Sequence, residues 1–151
     1  MSKRTIWFDM DGTIADLYSV ENWLPKLRSY DPSPYAEAKV MWNMSLLARY
    51  LNKLQKLGYR IGIISWVAKD STTEYDRAVA QAKRQWLAEH LSSVAFDFVL
   101  ITPYGEPKGW WMITTDDILF DDNKDIRNEW DGEAYEPTEI FSVLSSLIKG
   151  E

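Results

Sequence analysis

The sequence contains no cysteine, a single histidine and no long apolar segment. The absence of cysteine excludes disulfides, thiolate metal sites and cysteine nucleophiles. Because no run of about 18 apolar residues occurs, we expect no membrane-spanning helix and no membrane partner. The four residues between Met1-Ser2-Lys3-Arg4 and Asp9 are too few for the apolar part of a signal peptide. We therefore predict a cytoplasmic protein.

Positive charge is also scarce, since 17 lysines and arginines face 23 aspartates and glutamates and the net charge is −6. Proteins that bind duplex nucleic acid through its phosphates usually show the opposite balance, so nucleic acid is expected as a partner only through a terminal phosphate. The chain has 151 residues, of which 46% are hydrophobic. This length can bury a core without disulfides or a structural metal, and we predict one domain over residues 1–151.

Short apolar segments alternate along the chain with longer segments of helical periodicity. This pattern predicts an α/β fold in which helices cover a parallel sheet. The apolar character is continuous within each segment, which is typical of strands buried on both faces. The predicted strands are 5–8, 60–64, 96–101 and 117–120, with a weaker fifth candidate at 133–135.

Three amphipathic stripes predict helices that pack on this sheet. The first helix should end at Gly58, the second should begin after the cap residues of 70–73, and the third should begin near Pro137. The stripes consist of Val40, Met44, Leu47, Leu51 and Leu54; of Tyr75, Val79, Ala82 and Trp86; and of Ile140, Leu144, Leu147 and Ile148.

The segment 14–35 joins the first strand to the first of these helices and is irregular. Pro25, Pro32 and Pro34 exclude a long helix. Long connections at the carboxyl ends of strands often carry function, so the segment is a candidate lid or pocket wall. An irregular surface excursion fits its composition equally well.

The first predicted strand runs directly into Asp9-Met10-Asp11-Gly12-Thr13. Alternation along an extended chain places Asp9 and Asp11 on one side, and Gly12 allows a sharp turn beneath them. Open parallel sheets bind ligands at this edge. Two adjacent carboxylates repel each other unless a cation or a shared proton compensates, and oxygen ligands favour Mg²⁺. The pair therefore predicts a magnesium site, and the alternative is an acidic turn that caps the next helix.

A second apolar segment ends in Asp121-Asp122, and two neighbouring strands that both finish in carboxylates can hold one metal ion. Successive side chains of a strand point to opposite faces, so only one of these two aspartates should be a ligand. Ser65 follows another predicted strand, and Lys108 lies in the loop after the next. A hydroxyl and an ammonium at these positions can bind phosphoryl oxygens, although each signal is weak alone.

The order Asp9-Met10-Asp11-Gly12-Thr13, Ser65, Lys108, Asp121-Asp122 resembles the four motifs of the haloacid dehalogenase-like (HAD) phosphohydrolase superfamily. The segments 83–87, 98–102 and 119–126 are similar to its 5′(3′)-deoxyribonucleotidase branch. In that branch small residues and proline follow the second-motif residue, whereas Trp66-Val67-Ala68 follow Ser65 here. The resemblance implies the HAD fold, a three-layer Rossmann-like parallel sheet, with a small helical insert over 14–35.

The resemblance also implies a role for each acidic residue. Asp9 is the expected nucleophile, and Asp11 is the expected acid and base that protonates the leaving alcohol and then activates water. The expected cofactor is Mg²⁺, held by the carboxylates of Asp9 and Asp122 and by the backbone carbonyl of Asp11. Asp121 should support this metal site from behind.

The expected phosphate-binding residues are Gly12, Ser65, Trp66 and Lys108. The ring of Trp66 adjoins the proposed hydroxyl and should contact the pocket. Trp110-Trp111 are expected to pack Lys108 in place. The insert's aromatic residues, Tyr18, Trp23 and Tyr30, are expected to fill the core or the contacts between the insert and the core.

The function implied is a Mg²⁺-dependent phosphomonoesterase that forms an aspartyl-phosphate and acts on a nucleotide-sized small molecule, as a 5′(3′)-nucleotidase does. One alternative is a phosphatase of polynucleotide 3′ ends or of phosphoproteins. Another is a non-catalytic binding protein with the HAD fold.

Overall fold

A computed structural model describes residues 4–150 of the chain. The described residues form seven strands, six α-helices and short 3-10 turns. In chain order they are β1 Thr5–Phe8, β2 Ala15–Asp16, α1 Trp23–Arg28, α2 Ser33–Glu37, β3 Lys39–Val40, α3 Met44–Lys56, β4 Arg60–Trp66, α4 Thr73–His90, β5 Phe98–Thr102, β6 Ile118–Phe120, α5 Lys124–Glu129, β7 Glu133–Tyr135 and α6 Ile140–Lys149.

Five strands form one parallel sheet in the order β5-β4-β1-β6-β7. Strand β1 is central and pairs with β4 on one side and β6 on the other. The predicted α/β fold is confirmed, including the weak fifth strand at 133–135. The chain passes from β1 to β4 on one side of the sheet, whereas it passes from β6 to β7 on the other side. The carboxyl ends of β1 and β6 therefore flank the topological switch point, where such sheets bind ligands.

Apolar side chains cover both faces of the sheet, as the continuous apolar segments predict. Residues of α3, α4 and α6 cover one face, and Trp130 and Ile126 cover the other. The sheet residues on the first face are Ile6, Phe8, Ile61, Ile63, Ile118 and Phe120, and those on the second are Trp7, Ile64 and Leu119. The fold therefore has three layers, with the sheet between two layers that contain the helices.

Helix α3 begins later than its apolar stripe predicts. The Asn43 side chain caps it by accepting a hydrogen bond from the backbone N–H of Leu46. Val40, expected on the stripe, lies instead in β3 and is exposed. The reason is tertiary: β3 pairs antiparallel with β2, and the Met41 N–H donates to the Ile14 carbonyl. A spacing of four residues cannot distinguish this short hairpin from an additional helical turn.

The segment 14–35 contains β2, a 3-10 turn and α1, and it leads through α2 to β3. Leu17 and Tyr35 are buried in a cluster with Val67 and with Tyr75 and Val79 of α4. An irregular surface excursion is therefore the wrong interpretation, because these side chains pack against the sheet's own helix layer. Among residues 4–150 no helix is long and apolar enough to cross a membrane.

Candidate functional site

A cavity of about 550 Å³ opens at the carboxyl edge of the sheet, where β1, β4 and β6 end. The predicted site residues line it, apart from Gly12, which lies directly beside Asp122. They are Asp9, Asp11, Ser65, Trp66, Lys108, Asp121 and Asp122. The structure thus brings together residues as far apart in the chain as Asp9 and Asp122, which are separated by 113 positions.

The chain turns sharply as it leaves β1. The Asp9 N–H donates to the Phe120 carbonyl at 2.9 Å, which ties the end of β1 to β6. One carbonyl, that of Met10, accepts the N–H groups of residues 13, 14 and 15. Because the Met10 side chain is buried in the core, the carboxylates of Asp9 and Asp11 on either side of it face the cavity.

Lys108 lies between two of the carboxylates. Its Nζ donates to Asp9 Oδ1 at 3.0 Å and to Asp121 Oδ2 at 2.6 Å. Burial alone would lower the pKa of Lys108, but the charges of Asp9 and Asp121 outweigh this effect and raise it. Lys108 therefore keeps its positive charge at neutral pH. The other oxygen of Asp9 is held by Thr13, whose hydroxyl donates to Asp9 Oδ2 at 3.2 Å.

Asp9, Asp121 and Asp122 each offer one oxygen, and these three atoms lie within 4.8 Å of one another. Incomplete access to water and the charge of Asp9 raise the pKa of Asp121 to about 6 and that of Asp122 to about 7. This crowding of negative charge is the chemistry that a divalent cation relieves, so the three residues fit a metal of the Mg²⁺ type.

The two adjacent aspartates differ as the alternation rule predicts. Asp121 is fully buried, and its oxygens accept from Lys108 and from the Asn123 N–H at 2.9 Å. Asp122 is exposed to the cavity. Asp122 is therefore the more available ligand, whereas Asp121 holds Lys108 and the turn that follows β6.

Lys83 is a residue of the site that the sequence analysis does not predict. It is 1% exposed, and its Nζ donates to Asp11 Oδ2 at 2.8 Å and to Ser65 Oγ at 2.7 Å. Burial raises the pKa of Asp11, and the Lys83 charge opposes that rise. A signal was present in the sequence, because Lys83 lies four residues after Val79 on the stripe that α4 buries. A lysine at a buried helical position needs a partner.

Ser65 is the last residue but one of β4, which pairs with β1, and it is 1% exposed. Its oxygen accepts the hydrogen bond from Lys83, and a hydroxyl that accepts in this way retains its own O–H donor. Ser65 is thus able to donate to a phosphoryl oxygen in the cavity.

The rings around Lys108 differ from expectation. Trp110 is 73% exposed and Trp111 is 42% exposed, so these two rings lie largely in solvent, and the indole N–H of Trp111 donates to Glu106. The ring that packs on Lys108 is that of Trp66, since the Lys108 ammonium lies 5.4 Å from its centre. The indole N–H of Trp66 donates to the Glu106 carbonyl at 2.9 Å, which holds the ring at the cavity wall.

The insert's aromatic residues make the expected contacts with the core and also line the cavity. Trp23 packs against the buried cluster that contains Leu17 and Val67, and the Tyr30 ring meets the Tyr75 ring edge to face. Tyr18, Trp23 and Tyr30 line the cavity together with Tyr35 and Tyr104. Tyr18 and Tyr30 are about half exposed, and the rings of Tyr18 and Trp23 meet edge to face at 5.0 Å. The insert therefore contributes the aromatic rings of Tyr18, Trp23 and Tyr30 to the cavity wall, and its composition alone does not reveal this.

Gly12 has no space for a side chain. Its φ is +78°, and a Cβ there would overlap the Asp122 carboxylate and approach the Tyr18 ring at 2.9 Å. We expect Gly12→Ala to lower the free energy of unfolding by about 2 kcal/mol, because left-handed strain of about 1 kcal/mol adds to this overlap. Urea denaturation measures the loss. Gly105→Ala is the matched control, since Gly105 has φ +85° with nothing within 4 Å of the added atom. Equal losses in the two variants would contradict the overlap.

The chain is similar to known proteins in its fold. No protein-family model matches the chain, and no curated protein matches its sequence. Among the solved structures with a similar fold is D,D-heptose 1,7-bisphosphate phosphatase from Burkholderia thailandensis, with a TM-score of 0.51. The match covers 84% of this chain and 72% of that chain at 14% sequence identity, so it shows a shared fold.

Proposed function

We propose that this protein is a HAD-type, Mg²⁺-dependent phosphomonoesterase. The observation that carries the proposal is the convergence of Asp9, Asp11, Ser65, Lys108 and Asp122 on one cavity at the carboxyl edge of a parallel sheet. These residues supply a nucleophile, an acid and base, phosphoryl-binding donors and a metal ligand. A protein of similar fold is named as a phosphatase, which supports the same reaction class.

Each step assigns a task to a residue of this chain. An oxygen of Asp9 attacks phosphorus, and the bond from phosphorus to the ester oxygen breaks as Asp11 gives that oxygen its proton. The product is an aspartyl-phosphate on Asp9 and a free alcohol. Asp11 then takes a proton from water, the water oxygen attacks phosphorus, and phosphate leaves with the Asp9 carboxylate restored.

Charge neutralisation dominates a reaction of this kind. Lys108 and the Ser65 hydroxyl bind the phosphoryl oxygens, and the backbone at Gly12 lies close to the same site. The Asp9 and Asp122 carboxylates and the Asp11 carbonyl would hold Mg²⁺, with Asp121 supporting them from behind. When bound, this ion neutralises the charge of the transferring phosphoryl group and brings it close to Asp9.

The cavity favours a nucleotide-sized substrate. Its volume of about 550 Å³ lies within the range of small-molecule sites. The rings of Tyr18, Trp23 and Tyr30 from the insert, together with the ring of Trp66 from β4, offer faces on which a planar base can stack. We therefore propose a nucleoside monophosphate as the substrate and the nucleoside as the leaving group.

A substrate comparison tests this proposal. Purified protein with Mg²⁺ is given nucleoside 5′- and 3′-monophosphates, a 3′-phosphorylated oligonucleotide, a phosphopeptide and a sugar phosphate, and the released phosphate is measured. We expect the highest kcat/KM for a mononucleotide and no turnover in EDTA. Faster hydrolysis of the oligonucleotide or the phosphopeptide would instead favour a phosphatase of macromolecules, and equal rates with and without Mg²⁺ would contradict the metal requirement.

The affinity for Mg²⁺ should depend on pH near neutrality. Partial loss of contact with water inside the cavity and the charge of Asp9 raise the pKa of Asp122 to about 7, so the cation must displace a proton as the pH falls. We expect the affinity to fall about tenfold between pH 8 and pH 6. Calorimetric titrations in two buffers of different ionisation enthalpy would measure both the affinity and the released proton. An unchanged affinity, or an Asp122→Asn variant with the same pH dependence, would contradict this assignment.

A further inference from the structure

Lys83 occupies an unusual position for a lysine. It projects from the buried face of α4, and its side chain is 1% exposed. The described lysines that line the cavity are Lys69 and Lys108, so the Lys83 ammonium lies behind the cavity wall. Burying an ammonium is unfavourable unless all of its protons have acceptors.

The protons of the Lys83 ammonium are completely used. Besides Asp11 Oδ2 and Ser65 Oγ, the Trp66 carbonyl accepts a hydrogen bond from Nζ at 2.7 Å. An ammonium has three donors, and three acceptors at 2.7–2.8 Å account for them. The ring of Tyr35 lies over the same group, with its centre 4.9 Å from Nζ. No proton of Lys83 is left for a substrate.

The acceptors belong to two separate parts of the site. Asp11 lies in the turn after β1, whereas Ser65 and Trp66 end β4. Lys83 therefore connects the proposed acid and base to the proposed phosphoryl-binding hydroxyl. Lys108 makes the corresponding connection between Asp9 and Asp121 on the other side of the site. Each of the two reacting carboxylates thus has an ammonium of its own.

Resting on the proposed function, we propose that Lys83 is a positioning residue that orients Asp11 for proton transfer to the leaving group. The hydrogen bond to Oδ2 sets the rotation of the Asp11 carboxyl and leaves Oδ1 to exchange a proton with the ester oxygen. The charge-assisted bond to Ser65 sets the direction of its hydroxyl at the same time. Lys83 acts through these two side chains and does not touch the substrate.

A comparison of leaving groups tests this role. An alkoxide must be protonated as it leaves, whereas p-nitrophenolate leaves readily without a proton. We expect Lys83→Met to lower kcat/KM about 100-fold for a nucleoside 5′-monophosphate, a loss typical of general acid catalysis. For p-nitrophenyl phosphate we expect a loss of less than about tenfold. The parameter kcat/KM is the right one because it covers the steps up to alcohol release and not the later hydrolysis of the intermediate.

Controls separate positioning from a structural contribution. Lys53→Met removes an exposed lysine of α3 and should change neither ester. Lys83→Arg keeps the charge and should recover part of the lost kcat/KM with the alkyl ester. If Lys83→Met does not fold, Lys83→Gln, which keeps a donor without the charge, carries the same comparison. Near-ultraviolet circular dichroism of the tryptophans verifies the fold of each variant.

The outcomes are distinct. An equal loss for both esters in a folded variant means that Lys83 only supports the structure, and this result overturns the proposal, as does the absence of any loss. If the proposed function is wrong, the result differs, because wild type and Asp9→Asn would then hydrolyse both esters at the same background rate. A larger loss for the alkyl ester, in a protein that Asp9→Asn inactivates, supports the positioning role.

Discussion

Replacing Asp9 with asparagine is expected to abolish hydrolysis of every phosphomonoester and to preserve the fold. The amide has the shape of the carboxylate but cannot form the aspartyl-phosphate, and removal of a nucleophile typically lowers kcat by roughly 10³-fold or more. Lys108 retains Asp121 as a partner at 2.6 Å, so no buried ammonium is left without an anion. Phosphate release from the preferred mononucleotide measures the effect, and circular dichroism measures the fold.

The control for Asp9→Asn is Asp131→Asn, which removes an exposed carboxylate. This variant should hydrolyse the substrate at the wild-type rate. If Asp9→Asn keeps the rate of the unaltered protein, the activity comes from a contaminating enzyme. That result would favour the alternative of a non-catalytic binding protein with this fold.

Replacing Lys108 with methionine is expected to cause the largest loss of stability as well as a loss of activity. Methionine has a similar length but leaves Asp9 and Asp121 without the cation that separates them. Removing one partner of a buried ion pair typically costs about 3–5 kcal/mol. Urea denaturation of the metal-free protein measures the cost, and Lys53→Met on the exposed face of α3 is the control.

Two further measurements identify unpaired carboxylates as the cause in Lys108→Met. The pKa of Asp121 is already raised to about 6 by burial and by Asp9, and loss of the Lys108 charge raises it further. A raised native pKa means that the folded protein binds more protons than the unfolded chain, so stability falls as the pH rises through that range. We therefore expect the deficit relative to wild type to be smaller at pH 5 than at pH 8, and Mg²⁺ to reduce it. A deficit independent of both would indicate a packing defect.

The distribution of polar residues explains which parts of the site could be predicted. Asp9, Asp11 and Asp122 follow buried strands directly, so their position at the sheet edge depends on a local pattern. Lys83 falls on the buried stripe of α4, four residues after Val79, but the stripe does not identify the partner that a buried charge needs. Its burial depends on Asp11 and Ser65, which are 72 and 18 residues away. No local pattern encodes such a partner.

The aromatic residues follow the same division. Trp110, Trp111, Tyr18 and Trp23 are all large and amphipathic, and sequence alone does not distinguish a ring that lines a cavity from one that faces water. In the structure Tyr18 and Trp23 line the cavity, whereas Trp110 and Trp111 are not among its lining residues. Similarly, the four-residue spacing between Val40 and Met44 predicts that Val40 belongs to α3. In the structure Val40 lies in β3, a strand that forms only because it pairs with β2.

The amino-acid sequence by itself determined the alternation of strands and helices, the parallel sheet and the acidic residues at its carboxyl edge. These properties depend on the periodicity of apolar residues and on residues adjacent in the chain, because the burial of apolar side chains follows the local sequence pattern. Only the tertiary structure decided which cation pairs with which carboxylate, which rings form the cavity wall and where the insert packs. Those choices depend on contacts between distant segments, because a buried charge is stable only where the folded chain supplies its partner.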